Sequence, residues 1–437
     1  SAQPSSLVPE ALSLLPEAAD WVSVLADQVI AVAAERAPGE PIICASGLSP
    51  SGPIHLGNMR EVMVPHLVCD EIRRRGIPAE HILSWDDYDR FRKVPGAIEG
   101  IDAWNEHIGR PLTSVPPPPG SPHANWAEHF RSAMEESMAA LGIEVRGISQ
   151  TQMYTSGAYV EEVLFAMRHR DQLDKVLDQY RTKGRAPAPK STGPQGRSLD
   201  ADDAEAAALA EAGSGAAEED DGGEGTSYYP FKPYCAACGR DTTTVTAYDD
   251  ESTELTYTCT CGFSETYLLK DTFRGKLVWK IDWPMRWKYE GVIFEPSGVD
   301  HQSPGSSYVV GGEIVPLFGW YQPVGPMYAF VGIKGMAKMS SSRGGVPTAA
   351  DALAIMEPPL LRWLYARRRP NQSFDISFGQ ELQRLYDEWD ALCRKVAGDN
   401  PQPAEVAQYA RAASTYAGML PATPRPMPYR MLASVAD

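Results

Sequence analysis

A glycine-rich turn carries the first residues of this chain whose types and spacing could do chemistry. The stretch SGLSPSGPIHLGN at residues 46–58 places His55 three residues before Asn58, between an apolar run and a long amphipathic pattern. Glycines let a ligand approach the backbone closely, and an imidazole at the start of a helix can donate a hydrogen bond to a phosphate. The stretch is neither the dinucleotide-binding G-x-G-x-x-G motif nor a P-loop. Taken alone, it fits a phosphate site and a helix cap with a surface histidine about equally.

A second polar stretch, GMAKMSSSRGG at residues 335–345, carries a lysine, three hydroxyl groups and an arginine between glycines. A loop of this kind can close on a triphosphate, where Lys338 would neutralise the charge that develops on departing pyrophosphate. The alternative is an ordinary solvated polar loop. The order of the residues, more than their composition, favours the phosphate site, and it strengthens the same interpretation of His55.

Four of the seven cysteines form a third candidate site. Cys235 and Cys238 are separated by two residues, and after twenty more residues Cys259 and Cys261 are separated by one. A glycine follows each pair, and the spacing is typical of zinc-ribbon sites, in which four thiolates surround a structural Zn²⁺. The alternative is a set of free thiols. Thr, Val and Tyr alternate between the pairs, which predicts a β-hairpin.

The elements that position the first turn form a βαβ pattern. We predict a buried strand at 41–47, a helix at 54–75 that ends at Gly76, and a second strand at 79–84. A strand, a glycine-rich turn, a helix and a parallel strand favour a doubly wound α/β domain. Further helices are predicted at 18–36, 125–141 and 159–179.

Composition sets limits on partners and location. The chain has 437 residues, 43% of them hydrophobic, and a formal net charge of −17. This charge gives no overall attraction for nucleic acid, so such a partner would need a local basic patch. Four arginines near a predicted helix offer such a patch: Arg362, Arg367, Arg368 and Arg369. The alternative is a solvated helix end. Because no apolar run reaches 18 residues, we expect no membrane segment and a cytoplasmic protein.

Two signatures in the expected order resemble those of class I aminoacyl-tRNA synthetases. PIHLGN at 53–58 resembles the HIGH signature, and KMSSS at 338–342 resembles KMSKS, with Ser341 in place of the second lysine. Together with DDYDRFRKVP, CAACG…CTCG, WKIDWPMRW and the Asp300-His301 pair, they resemble the class I lysyl-tRNA synthetases. The resemblance covers roughly residues 20–437, apart from 183–226.

The resemblance implies a Rossmann-type doubly wound domain, split by a connective insertion that contains the zinc module, and a reaction in two steps. Lysine and ATP, accompanied by Mg²⁺, form lysyl-adenylate, and the lysyl group passes to the terminal ribose of tRNA(Lys). His55, Asn58, Lys338 and three serines would be the catalytic residues, the serines being Ser340, Ser341 and Ser342. The ATP site would comprise Pro53, His55, Gly57, Asn58, Gly298, His301, Lys338 and Met339.

The resemblance also implies a lysine pocket. Gly47 and Ser49 would line its α-amino end, and Trp279, His301 and Tyr328 would flank the side chain. Aromatic faces suit a methylene stem that ends in an ammonium group. For the acid that meets this ammonium we expect Asp282 or Asp86. We predict mostly structural roles for Trp283 and Trp287, on a segment where Pro284 argues against a helix.

Two departures from the family keep alternatives open. Val299 precedes Asp300 where the family commonly has lysine, and the sequence stops where family members continue into a helical domain that reads the anticodon. These departures favour a tRNA-independent paralog, which would transfer an activated amino acid to a small molecule or a carrier protein. A non-catalytic binding module is a third possibility, which His55 and Lys338 argue against. We expect a monomer.

Six segments are predicted along the chain. They are an N-terminal helical segment (1–40), the first half of the catalytic domain with a helical connective region (41–180), a flexible low-complexity insertion (181–226), the zinc module (227–267), the second half of the catalytic domain with the KMSKS-like loop (268–348), and a helical region (349–437).

Overall fold

The computed structural model describes residues 20–94, 102–181, 227–334 and 346–421. Its first elements are those that the sequence predicts around the glycine-rich turn. Asp20 caps helix α1 through a 2.9 Å hydrogen bond from the backbone N–H of Ser23, and Gly76 follows α2 with a φ of +76°, a conformation that favours glycine. The elements are α1 (Trp21–Arg36), β1 (Ile42–Leu48), α2 (Met59–Arg74) and β2 (Ala79–Trp85).

The next described segment completes one side of the sheet and adds a helical region. Its elements are α3 (Trp126–Ala140), β3 (Arg146–Ser149), α4 (Gln150–Thr155), α5 (Val160–Arg168) and α6 (Arg170–Arg181). The single helix predicted at 159–179 is two helices that divide at His169, so that prediction is wrong in detail. Leu173 and Leu177 of α6 and Val163 of α5 are buried in one shared core, so both helices pack against it.

A small antiparallel unit follows residue 227. Its strands are β4 (Phe231–Pro233), β5 (Thr243–Tyr248), β6 (Glu254–Cys259), β7 (Ser264–Leu268) and β8 (Gly275–Leu277). β5, β6 and β7 form one sheet, so the predicted hairpin is present and is extended by a third strand. β4 pairs with β8 and returns the chain to the main domain.

The second half of the main domain carries the remaining strands near the glycine-rich turn. Its elements are α7 (Trp279–Glu290), β9 (Val292–Phe294), β10 (Ser297–Gly298), α8 (Val299–Gln302), α9 (Ser307–Ile314), β11 (Met327–Tyr328) and β12 (Val331–Lys334). The main sheet is parallel, with the strand order β3-β2-β1-β9, and β1 pairs with β2 from Ile42 opposite Ala79 to Leu48 opposite Trp85. The predicted parallel α/β arrangement is confirmed.

Helix α7 overturns the prediction that Pro284 excludes a helix. Pro284 lies within α7, where it removes one backbone hydrogen bond. Side-chain contacts hold the segment in helical form, because Arg286 binds Asp282 one turn earlier at 2.5 Å and the rings of Trp279 and Trp283 stack with centroids 5.1 Å apart. Tertiary packing therefore outweighs the local cost of the proline.

The last described segment is mostly helical and packs on the main domain. Its elements are α10 (Ala349–Leu353), α11 (Pro358–Ala366), β13 (Phe374–Ser377), α12 (Glu381–Val396), α13 (Pro403–Ala413), β14 (Ser414–Thr415) and β15 (Gly418–Met419). Residues of α11, α12 and α13 share one buried core with α1 and α2. In the described part of the chain, no helix is both long enough and apolar enough to span a bilayer.

Arg362 does not belong to a nucleic-acid surface, which corrects one of the four arginine predictions. Its side chain is 0% exposed and donates hydrogen bonds to the backbone carbonyls of Leu141, Arg411 and Ser414. A buried guanidinium needs such partners, because leaving its donors unpaired would be costly. Arg367 binds Glu388 at 3.1 Å.

Candidate functional site

A cleft opens at the carboxyl ends of β1, β2 and β9, between α2 and α7. This edge of a parallel sheet is where ligands bind in doubly wound folds. The space in the cleft, including its open mouth, is about 830 Å³. Its lining comes from all of these elements: Ala45, Ser46, Gly47, Ser49, Glu61, Ile82, Ser84, Asp86, Asp89, Trp279, Trp283, Arg286, Trp287, Glu290, Val292, Glu295, Pro296, Ser297, His301 and Tyr328.

The HIGH-like turn lies between β1 and α2. Leu56–Asn58 form one turn of 3-10 helix, and His55 caps this turn, so the two predicted residues precede α2 instead of lying in its first turn. A Cβ atom on Gly57 would lie 3.2 Å from the carbonyl oxygen of Val331, so this position favours glycine because β12 approaches closely. Asn58 is buried.

The His55 ring offers a buried nitrogen atom to a ligand. Its Nδ1 atom is buried and has no hydrogen-bond partner in the part of the chain that the structure describes. Burial lowers the pKa of His55, against the opposing effect of a hydrogen bond with the backbone of Val346, so the free ring is neutral at pH 7. An unpartnered buried nitrogen is costly, and a polar ligand group would relieve that cost.

The predicted KMSKS-like residues Lys338, Met339, Ser340, Ser341 and Ser342 lie outside the described residues. The chain on either side of them is anchored at the HIGH-like turn. β12, which ends at Lys334, contacts Gly57, and the backbone N–H of Leu56 donates to the carbonyl of Pro347 at 2.8 Å. The described segments on both sides of residues 335–345 therefore contact the HIGH-like turn.

Five of the residues predicted to contact lysine line the cleft: Gly47, Ser49, Trp279, His301 and Tyr328. The ring of Trp283 stacks on Trp279 and meets His301 edge-on at 5.5 Å. Gly298 lies against Tyr328, whose ring would be 3.4 Å from a Cβ at that position. Pro53, which was predicted to contact ATP, is the first residue of the HIGH-like stretch and lies two residues before His55.

The two carboxylates predicted to meet the ammonium group have different surroundings. Asp282 is 0% exposed and does not line the cleft, because Tyr154 and Arg286 enclose it with hydrogen bonds. This placement argues against Asp282 as a lysine ligand. Asp86 does line the cleft, but Arg286 already donates to it at 2.7 Å. Both predicted acids are therefore neutralised by the same guanidinium.

Glu61 is a cleft residue that sequence reasoning missed. It lies in the first turn of α2 and forms a hydrogen bond with the Tyr328 hydroxyl. Desolvation by burial raises the pKa of Glu61 to about 8, and the charges of Asp86 and Glu295 act in the same direction. The sequence signal was an acid six residues after His55, but nothing in the sequence shows that it faces Tyr328.

Glu295, just after β9, is a second missed carboxylate. Its two oxygens accept hydrogen bonds from the indole N–H groups of Trp283, at 3.1 Å, and Trp287, at 2.7 Å. Burial raises its pKa to about 7. Both tryptophans line the cleft, so the structural role predicted for them includes orienting the Glu295 carboxylate.

The charge balance of the cleft separates its carboxylates into two groups. Asp86, Asp89 and Glu290 form ion pairs with Arg286, Lys276 and Arg146, respectively. Within the described residues, Glu61 and Glu295 form no ion pair and are held only by neutral donors. A cleft with aromatic walls and two uncompensated carboxylates suits a ligand that carries two cationic groups.

Arg60 fixes the strand that carries Tyr328. It is buried, and its guanidinium donates to the carbonyls of Ala329 at 2.8 Å, Gln372 at 2.8 Å and Arg369 at 2.6 Å. Because Glu61 is the next residue, α2 holds the backbone at Ala329 with one side chain and the hydroxyl of Tyr328 with the other. Helix α2 therefore fixes the positions of both Glu61 and Tyr328.

The four clustered cysteines come together as predicted. Their sulfur atoms all lie within 4.8 Å of one another, with Cys235 and Cys261 at 3.8 Å and Cys238 and Cys259 at 3.7 Å. A tetrahedral Zn²⁺ with bonds of about 2.3 Å requires sulfur–sulfur distances of about 3.8 Å, so the donors fit this ion. Gly239 and Gly262 have positive φ angles of 75° and 94° at the two turns.

The cysteine unit supports the loop after β2, which lines the cleft. Arg110 donates to the carbonyl of Cys238 at 3.1 Å, and the hydroxyl of Tyr234 donates to the carbonyl of Tyr88. The backbone N–H of Gly275 donates to the Tyr88 hydroxyl at 3.1 Å. Asp86 and Asp89, which line the cleft, lie on either side of Tyr88 in the sequence. The cysteine unit therefore contacts the loop that carries these two cleft residues.

Known proteins resemble this chain over nearly its whole length. Residues 19–417 match the family described as tRNA synthetases class I (K). A lysine–tRNA ligase of Streptomyces coelicolor is 67% identical over 96% of this chain and 72% of its own length. Those of Thermococcus kodakarensis and Treponema pallidum are 35% and 33% identical, over 88% and 87% of this chain and 66% and 64% of their own lengths.

The chain thus spans about two thirds to three quarters of the length of these relatives. Both the family match and the identity to the Streptomyces relative extend through the cleft, the HIGH-like turn and the cysteine unit. The chain belongs to the class I lysyl-tRNA synthetase family.

Proposed function

We propose that this chain activates L-lysine with ATP to form lysyl-adenylate and transfers the lysyl group to tRNA(Lys). The observation that carries the proposal is the cleft beside the HIGH-like turn, with its aromatic walls and two carboxylates, Glu61 and Glu295, that form no ion pair with any described residue. The names of the relatives, lysine–tRNA ligases, support the same substrate pair.

Glu61 and Tyr328 are proposed to hold the side-chain ammonium of lysine. Glu61 lies six residues after His55, three of them in the 3-10 turn and three in α2, which corresponds to about 10 Å along the helical axes. The carboxylate of lysine must reach the phosphate near His55, and its Nζ atom lies roughly 6 Å beyond Cα. The far end of the substrate therefore reaches Glu61, while Trp279 and His301 flank the methylene stem.

The first chemical step needs positioning and charge stabilisation instead of a protein nucleophile. A carboxylate oxygen of lysine attacks the α-phosphorus of ATP, the bond from this phosphorus to the bridging oxygen breaks, and pyrophosphate leaves. We assign His55 and Asn58 to contacts with the nucleotide at the α2 end. The residues proposed to hold the phosphates are Lys338, Met339, Ser340, Ser341 and Ser342. Mg²⁺ is proposed to screen the phosphate charges. The residues proposed to border ATP are Pro53, Gly57, Gly298 and His301.

In the second step, the terminal ribose 2′-hydroxyl of the tRNA attacks the activated carbonyl, and AMP leaves. Two of the predicted basic residues remain available to the tRNA backbone, because Arg368 is half-buried and Arg369 is exposed. A lysine–tRNA ligase meets its tRNA in the cytoplasm, which is the location we propose.

The four cysteines are proposed to hold a structural Zn²⁺ through Cys235, Cys238, Cys259 and Cys261. Four protein ligands leave no open position, so the ion would stabilise the fold and take no part in the reaction. The ion would stabilise the cleft through Tyr88, with which residues next to the cysteine unit form hydrogen bonds.

Replacing Cys259 with serine is expected to remove one equivalent of zinc per chain and to lower the midpoint of thermal unfolding, because structural zinc contributes directly to folding. The measurement is elemental analysis combined with a melting curve. Cys393→Ser on α12 is the matched control and should change neither quantity. Unchanged zinc content in the Cys259→Ser protein would contradict the assignment.

Charging of tRNA tests the complete proposal. The full chain is incubated with ATP, radiolabelled lysine and transcribed tRNA(Lys), and acid-precipitable label is counted. We expect label on tRNA(Lys) and none on a tRNA with its terminal adenosine removed. Lysyl-adenylate without charged tRNA would refute the transfer step while leaving the activation step intact.

A further inference from the structure

We infer that Glu295 accepts the α-ammonium group of lysine, so that the site reads both cationic ends of its substrate. The inference rests on the proposed function, in which Glu61 takes the side-chain ammonium and the α-ammonium has no assigned charged partner. Lysine carries two ammonium groups at neutral pH, and the cleft contains two carboxylates that form no ion pair within the described residues.

The surroundings of Glu295 fix its carboxylate at the cleft wall. Its backbone N–H donates to the carbonyl of Val324 at 2.9 Å, and the residue is 8% exposed. Each oxygen accepts one indole N–H, from Trp283 or Trp287. An ionised carboxylate offers about four lone-pair positions, so two acceptor positions remain after these contacts.

In its ionised form, a buried carboxylate that is held by neutral donors alone carries an uncompensated charge. Such a charge is expensive in a desolvated site unless a cation neutralises it. Arg286 lies near enough to influence Glu295, but its hydrogen bonds go to Asp86 and Asp282. The Glu295 carboxylate therefore needs a cationic partner, and the ammonium group of a ligand in the cleft can be that partner.

The position of Glu295 selects the α end of the substrate. Glu295 is three residues before Gly298, which caps α8, and Trp283 contacts both Glu295 and the ring of His301. Gly298 belongs to the proposed ATP border, and because Glu295 lies three residues before it along the chain, we assign Glu295 to the α end, next to the reacting carboxylate. Glu61 lies further along α2, on the side of the side-chain ammonium.

This arrangement would make the site selective for α-amino acids that are also bases. A ligand without the α-amine leaves Glu295 unpaired, and one without the side-chain amine leaves Glu61 unpaired. A site built around charged partners rejects an analogue that lacks one of them, because the buried group is left without compensation.

Binding of two lysine analogues to the full chain tests the inference. 6-Aminohexanoate lacks the α-amine, L-norleucine lacks the side-chain amine, and ligand-observed NMR at millimolar concentration measures their affinities beside that of lysine. In Glu295→Gln we expect lysine and norleucine to bind at least tenfold more weakly and 6-aminohexanoate to bind as in the unmodified chain. In Glu61→Gln we expect the reverse pattern for the two analogues.

Equal weakening of both analogues by Glu295→Gln would overturn the inference, because it would mean that Glu295 only orients the two tryptophans. Unchanged lysine affinity, or loss confined to 6-aminohexanoate, would also overturn it. Trp283→Phe removes one indole donor and keeps Glu295, and it should weaken all three ligands alike. Failure of the unmodified chain to bind lysine would instead contradict the proposed function itself.

Discussion

Replacing Glu61 with glutamine is expected to lower kcat/KM for lysine in adenylate formation by about 10²- to 10³-fold, the range for truncating one partner of a buried charge pair. Glutamine keeps the shape of the side chain and a hydrogen bond with Tyr328, but it does not neutralise an ammonium group. The KM for ATP should change little, because Glu61 is assigned to the side-chain ammonium of lysine and not to the nucleotide. ATP–pyrophosphate exchange at varied lysine concentration measures both parameters.

The same substitution should stabilise the ligand-free protein in alkaline solution. The pKa of Glu61 is raised from its ordinary 4.5 to about 8, so the folded state holds a proton that the unfolded state has released. Stability from this residue is therefore fully present below pH 4.5 and is lost as the pH rises through 8. Since Glu61→Gln removes this loss, its unfolding midpoint should be about 2–4 °C higher at pH 8.5 and unchanged at pH 4.5.

Glu290→Gln is the matched control for Glu61→Gln. Glu290 also lines the cleft, but Arg146 pairs with it at 2.9 Å, so its neutralisation should give no gain in stability at alkaline pH. A Glu61→Gln protein that activates lysine normally, or that melts at a lower temperature at pH 8.5, would contradict the role assigned to Glu61.

Lysine affinity is expected to rise with pH between 6 and 8. The carboxyl groups of Glu61 and Glu295 have pKa values raised to about 8 and about 7, so both are largely protonated at pH 6. An ammonium ligand binds the ionised forms, and its binding must therefore release protons. The dissociation constant should fall at least tenfold from pH 6 to pH 8.

Calorimetry in buffers of different ionisation enthalpy measures the proton release directly. Lysine binding at pH 7 should release close to one proton from Glu61 and a further fraction from Glu295, and Glu61→Gln should remove the larger part. Proton uptake, or an affinity that is independent of pH over this range, would contradict the assignment of these carboxylates.

The sequence predicts the strand–turn–helix setting of His55, Gly57 and Asn58 better than it predicts the acids that line the cleft. His55, Gly57 and Asn58 stand in a short contiguous motif, whose strand–turn–helix setting follows from local pattern alone. Glu61 and Glu295 become recognisable only when distant segments meet, because each is identified by partners far along the chain or across the cleft. An acid within an amphipathic helix looks like a surface residue until its neighbours are known.

Two predictions concern charged side chains that the structure buries. Asp282 precedes an arginine by four residues, and the resulting buried pair removes it from the cleft wall. Arg362 lies in a segment rich in arginine that reads as a basic surface, yet it binds carbonyl groups of residues 49 to 52 positions later and of Leu141. Burial of a charged side chain depends on long-range partners, which local sequence does not reveal.

ATP–pyrophosphate exchange across a panel of amino acids tests the central claim most directly. The full chain is supplied with Mg²⁺, ATP, labelled pyrophosphate and, one at a time, lysine, ornithine, arginine, glutamine and norleucine. The account predicts rapid exchange with lysine and at least 10²-fold lower kcat/KM with norleucine, which leaves Glu61 without a cation. No exchange with lysine, or exchange with norleucine as fast as with lysine, would contradict it.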